Sequence, residues 1–343
     1  MGTMTQTTNF LASLGDFAVL RVQGQDARTF LHSQLSNDIS RLGCNEARLA
    51  AYCTPKGRML GSMVLWQETE EEGSPLLALI RNDVLEPLLK RLRMFVLRSK
   101  VSFEVTELQA FGASVAGSSV QAATADQHTA QSEPVAAPSL SPAPAWQVRR
   151  GQLCTLVSAP SANAALGRWW VIPHEASDAD QLTEILGLPW RPEGVWQAQD
   201  IEAGLGWVEL ANQEMFIPQS LNFDLNGGVS FTKGCYPGQE VVARAHFRGS
   251  VKRRAVAAYC HLPKETELKA GMDVFDAGRP GSPAGRIVNA ARLHGDSDLV
   301  QWYVFMEINL ADLDQVDFRA VSSEGPAIKA LPLPYALEPD PSA

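Results

Sequence analysis

Cysteine is scarce in this chain and never paired. The five thiols, Cys44, Cys53, Cys154, Cys235 and Cys260, form no Cys-x-x-Cys motif; this excludes a zinc ribbon, and so odd and scattered a set excludes a disulfide framework and fits a reducing compartment. Four thiolates usually hold an iron–sulfur cluster, so the chain lacks a ligand set for one of its own. The six histidines show no metal-ligand spacing, and no bound metal is expected. No run approaches the ~20 apolar residues of a membrane span. Met1-Gly2-Thr3-Met4-Thr5-Gln6 lacks the basic and apolar regions of a signal peptide, so the expectation is a cytoplasmic protein without membrane contact. A phosphate-binding Gly-Lys-Ser/Thr loop is missing, and Gly204-Leu205-Gly206 lacks the third glycine of a dinucleotide fingerprint. The net charge of −9 argues against a general nucleic-acid coat.

What is present suffices for two or three domains: 343 residues, of which 45% are hydrophobic and 20% charged. Residues 17–22 read as a strand, and Asp26 caps a helix whose Ala27, Phe30, Leu31 and Leu35 share one face. Strand patterns follow at 47–52, 59–66 and 76–80. Asp83 and Glu86 form an acidic capping box for a helix carrying Val84, Leu88, Leu89 and Leu92, and 101–105 returns as a strand. This β-α-β-β-β-α-β order implies an α+β unit over residues 1–111. Residues 112–146, rich in Ala, Ser, Pro, Gln and Thr, read as a flexible low-complexity linker. A second α+β unit is expected over 147–249, with strands at 153–157 and 168–172, a helix from Ser177 to Gly187, and another opened by Pro192 and ended by Gly204. Short alternating strands dominate 250–335 and predict an antiparallel β-barrel; 336–343 reads as a tail, extended from the Pro-rich run at Leu331.

Only one thiol is set up for chemistry. In Lys233-Gly234-Cys235-Tyr236-Pro237-Gly238-Gln239-Glu240 the two glycines and the proline fit a rigid turn that presents Cys235. Lys233, Arg244 and Arg248 would favour its thiolate. Between 244 and 254, Arg244, Arg248, Lys252, Arg253 and Arg254, with His246 and no acid, form a basic patch able to meet phosphate, a polyanionic cofactor tail or RNA; a solvated charged turn is the plainer reading.

The segment from Phe231 to Arg244 resembles the signature of YgfZ-type folate-binding proteins, relatives of the glycine-cleavage T-protein. The resemblance extends to Phe30-Leu31-His32-Ser33-Gln34-Leu35-Ser36-Asn37-Asp38, Thr54-Pro55-Lys56-Gly57-Arg58, Ile201-Glu202-Ala203-Gly204, Ile217-Pro218-Gln219 and Asn222. It implies two T-protein-like α+β units and a C-terminal antiparallel β-barrel around a central cleft. It implies tetrahydrofolate or a related reduced folate as ligand, with Phe17 and Trp196 at folate-contacting positions and Gln219, Asn222 and Glu240 as polar partners; as isolated residues the two aromatics would serve as core packing. The implied role is an accessory one, as a monomer, in assembly or repair of client iron–sulfur enzymes, including tRNA-modifying ones, with Cys235 as the functional thiol. Two alternatives remain. One is a folate-dependent aminomethyltransferase-like enzyme, although the acidic pair of T-proteins is replaced here by Leu60-Gly61-Ser62-Met63. The other is a module that contacts tRNA directly through the basic patch.

Overall fold

A computed structural model describes residues 8–117, 139–249, 251–293 and 297–337. The first unit is built as its periodicity predicts. Strands β2 (Phe17–Gln23), β3 (Ala47–Cys53), β4 (Met59–Gln67), β5 (Leu76–Arg81) and β6 (Ser102–Val105) form an antiparallel sheet in the order β3-β4-β5-β2-β6. Helices α1 (Ala27–Gln34) and α2 (Asn82–Val96) cover one face of it. Their apolar stripes, Phe30 and Leu31 on α1 and Val84, Leu88 and Leu92 on α2, meet Leu20, Met63, Leu65 and Ile80. The expected caps act elsewhere: the Asp26 carboxylate accepts from the Lys100 amide at 2.8 Å, and that of Asp83 from the Leu210 amide at 2.8 Å. Each acid thus joins its helix start to a distant loop.

The other face of this sheet packs on a second antiparallel sheet, in which β1 (Phe10–Ser13), β7 (Phe111–Ala116), β10 (Leu166–Pro173), β9 (Cys154–Ser158) and β8 (Val148–Arg150) follow in that order. Alternation along β10 places Trp170 and Ile172 in the core between the sheets, and Trp169 and Val171 on the outer face with Leu182 of α3 (Asp178–Leu186). Helix α4 (Glu193–Glu202) enters the shared core with Val195, Trp196, Ala198 and Ile201.

Two strands of this sheet lie outside the 147–249 range of the expected second unit: β1 falls within the 1–111 range of the expected first unit, and β7 runs from the last residue of that range into the expected 112–146 linker. Residues 112–116 are therefore a paired strand rather than linker, and Leu140 is also buried. Of the rest of that linker range, 139–146 forms no helix or strand and 118–138 lies outside the described residues, as do Ser250 and 338–343. A physical reason for the difference lies at Gly112: a β-carbon there would come within 2.4 Å of the Trp196 indole, so this position of the strand holds glycine, a residue that reads as linker composition.

The third sheet is a nearly closed antiparallel barrel, β15 (Phe318–Ala320), β12 (Asp273–Asp276), β13 (Pro283–Arg292), β14 (Leu299–Asn309), β11 (Arg253–Pro263) and β16 (Lys329–Ala330) in spatial order, with an Arg319–Ala327 bridge between its ends. The run after Leu331 is fastened: the Leu331 amide donates to Ala257, and the Tyr335 hydroxyl to the Gly204 carbonyl at 2.7 Å. The fold is α+β, two sheet-based units with a C-terminal barrel. Among the described residues, no helix is long and apolar enough to cross a membrane.

Gly112→Ala should destabilise the protein by about 1–3 kcal/mol, because Trp196 is fully enclosed and has no room to withdraw. Urea unfolding measures this; a variant as stable as the parent would return residue 112 to the linker.

Candidate functional site

Lys233 holds the cysteine loop against the first unit. It is only 7% exposed, and its ammonium donates to the carbonyls of His32 and, at 2.7 Å, Leu35, where α1 ends. Burial pulls its pKa down to about 8, opposed by the charges of Asp38 and Cys235. The ammonium also lies 4.8 Å from the centre of the buried Tyr236 ring. Gly234 and Cys235 stand exposed beside this anchor. Cys53, Cys154 and Cys260 are buried, and burial pushes each thiol up to about 12.

A second fastening lies after the thiol. Gly238 has φ +86°, and a β-carbon on it would sit 2.5 Å from the Thr54 carbonyl and 2.7 Å from Gly57 Cα. Two motifs far apart in sequence therefore meet backbone to backbone, which requires glycine. Helix α5 (Gln239–Phe247) begins at this point, so Gln239 and the exposed Glu240 form a helical first turn.

The other expected polar partners have internal work. Gln219 and Asn222 are fully buried: Gln219 Nε2 donates to the Val242 carbonyl at 2.6 Å, and Asn222 Nδ2 to the Ala255 carbonyl at 2.8 Å. Arg254, counted in the basic patch by sequence, is 2% exposed and paired with Asp224 at 2.9 Å on both arms. Arg253 pairs with Glu307 at 2.7 Å. The exposed face thus loses Arg254 alone and keeps Arg244, Arg248, Lys252 and Arg253, with His246 stacked 3.7 Å from Phe231 and Phe247 67% exposed.

A cavity of about 280 Å³ opens where both α+β units meet the barrel. Phe17 and Trp207 line it edge to face at 4.8 Å. Arg81 lies 5.2 Å from the Phe17 ring centre and reaches Asp16 at 3.1 Å and Glu209 at 3.8 Å. Asp200 accepts from Arg168 at 2.7 Å and from Trp207 Nε1 at 3.0 Å. The barrel contributes Asn289, whose amide exchanges hydrogen bonds with the Trp207 backbone and donates to Glu209 at 2.6 Å. Trp196, expected at this site by resemblance, does not line it. It is 0% exposed, with the Arg168 guanidinium 4.2 Å from its ring. The cavity aromatic missed by sequence is Trp207, three residues beyond the Gly204 that ends the recognised motif; its only signal was that proximity.

Behind Asp16, half-buried Glu193 accepts from the Asp16 amide at 3.4 Å. Burial first, then the Asp16 charge, pushes this carboxyl up to about 7, against the Asp16 and Gly15 amides and Arg81. Its folded pKa lies above the unfolded 4.5, so stability falls as pH rises from that value through 7. Glu193→Gln should therefore be more stable than the parent by about 1–2 kcal/mol at alkaline pH, allowing for solvent screening, and no more stable near the unfolded pKa. Urea titrations at the two pH values check this; an equal gain at both would assign the effect to packing.

No family model matches the chain. The tRNA-modifying protein YgfZ of Photorhabdus laumondii is 32% identical over 332 residues, covering 95% of this chain and 92% of that protein. The protein of the same name from Escherichia coli strain SE11 is 30% identical over 336 residues, 96% and 94% of the two chains. Among solved structures, the glycine cleavage system aminomethyltransferase T of Bartonella henselae matches with a TM-score of 0.62 over 97% of this chain and 88% of its own, at 13% identity, which is a likeness of fold. At 30–32% identity to curated relatives over nearly its full length, and with a T-protein-like architecture, the chain belongs to the YgfZ family.

Proposed function

We propose that the cavity binds a reduced folate and that the protein is an accessory factor for iron–sulfur enzymes that modify tRNA, with Cys235 as its working thiol. The observation that carries the ligand reading is the pairing of an aromatic wall, Phe17 and Trp207, with carboxylates in one cavity. A pterin offers a flat face for the first and a row of N–H donors for the second. Arg81 and Lys269, also in the lining, suit the anionic glutamate end. The tRNA side of the reading rests on the relatives' names and on the exposed cations and aromatics of α5, a combination suited to phosphate and unstacked bases.

An accessory role is favoured over one-carbon transfer by the stretch where resemblance to T-proteins calls for acids. Ser62 there is buried in β4, and its hydroxyl accepts from the Val208 amide at 3.0 Å. A general base for an amine is missing at that position.

Reduced folate should quench tryptophan emission, and Phe17→Leu should weaken binding by about 1–3 kcal/mol, the range of aromatic–base stacking. Unchanged affinity in a folded variant would remove the cavity from the proposal. Cys235→Ser should leave the melting temperature and folate affinity near those of the parent, since the thiol is exposed, while abolishing rescue of iron–sulfur enzyme activity in cells lacking the protein. Full rescue would contradict a thiol-based role.

A further inference from the structure

The C-terminal end of α1 carries more than the carbonyls that hold Lys233. His32 presents its ring to the same place. Its Nδ1 lies 3.0 Å from Asp38 Oδ1, and its Nε2 lies 3.7 Å from where a β-carbon on Gly234 would stand, the residue next to Cys235. The Ser40 N–H is also directed at Nδ1, at 3.4 Å, which suits the other tautomer; the carboxylate, nearer at 3.0 Å, favours a proton on Nδ1, which leaves the Nε2 lone pair on the side of the cysteine loop.

Asp38 is held for this task. It accepts from the Ser40 hydroxyl at 2.6 Å and the Arg41 amide at 3.2 Å. Burial works to raise its carboxyl, but those hydrogen bonds and the charges of His32 and Arg48 outweigh burial and hold it below the usual range. The charged groups around the ring are therefore Asp38, Arg41 at 3.8 Å from the Asp38 carboxylate, Arg48 on β3, and Lys233 from the motif loop. The loop cannot drift from the ring, because Lys233 is bonded to the carbonyl of His32 itself.

We propose that His32 is the proton acceptor for Cys235 and that Asp38 is its positioning residue. The Sγ–H bond breaks, the proton passes to His32 Nε2, the electron pair stays on sulfur, and the imidazolium is held against the Asp38 carboxylate. A nucleophile, a base and an orienting carboxylate together activate thiols; here α1 and the loop after it supply the base and the orienter, and the base meets the Lys-Gly-Cys-Tyr turn at Gly234, one residue before the sulfur. The inference rests on the reading of Cys235 as the working thiol, yet its test does not, because it follows sulfur chemistry in the purified protein.

The test is the rate at which iodoacetamide alkylates Cys235 in the native full-length chain, followed by peptide mass mapping, with Cys235→Ser to identify the signal. In that reaction the S–C bond forms as iodide leaves, so the rate follows the thiolate. His32→Gln keeps the backbone carbonyl that Lys233 needs, and Asp38→Asn keeps an oxygen for Ser40 and Arg41. At about pH 7, His32→Gln should slow alkylation by on the order of fivefold or more, Asp38→Asn by less, and both differences should vanish at about pH 10, where a thiol ionises unaided. Rates for His32→Gln equal to the parent's across the range would overturn the proposal. So would a deficit that persists at the alkaline end, which would mark a change in access rather than in proton transfer. Cellular rescue enters neither outcome, so failure here and failure of the accessory function are read separately.

Discussion

A single buried ammonium sets the position of the exposed thiol. Lys233 arrives from the second half of the chain and donates to the carbonyls that end α1 in the first half, giving those carbonyls partners and fixing the loop that follows. Burial lowers its pKa, and the uncharged amine would still hold N–H groups for both carbonyls, although the ammonium donates more strongly and alone attracts the Tyr236 ring. The Gly57–Gly238 approach completes the hold from the other side of the loop. Cys235 is exposed between these two fixed points, and this is why a surface cysteine here has a defined environment.

The same end of the first sheet also supports the cavity. Register places Phe17 opposite Arg81, Ile80 opposite Met63, and Met59 opposite Cys53, so the cavity side chains and the loop that receives Gly238 stand at one sheet end. The barrel closes the cavity through Asn289, beside a register shift in β13. That irregularity turns one amide toward the Trp207 backbone and Glu209. The cavity is thus an interface feature, built from strand ends, α4 and the barrel, and belongs to none of them alone.

Much of this was legible in the sequence, for identifiable reasons. The first unit was, because its strands alternate cleanly and its helices carry full apolar stripes. The barrel was, because Val300, Trp302, Val304 and Met306 alternate over a long strand. Strand β7 was not: Gly112 leaves room for Trp196 and stands beside Ala113 and Ser114, and small residues without periodicity look like linker. Charge misled in the basic patch, since Arg254 is buried against Asp224, a partner thirty residues away that spacing does not reveal. The choice between Trp196 and Trp207 depends on which way α4 turns its face, which only packing decides.

Folate recognition stands or falls on whether the cavity between Phe17 and Trp207 receives a pterin. A crystal structure grown with tetrahydrofolate is the most direct measurement. Pterin density should appear in this cavity against Phe17 and Trp207, with its ring edge toward Asp16, Asp200 or Glu209. Well-defined pterin density elsewhere on the protein, with this cavity empty, would contradict that assignment.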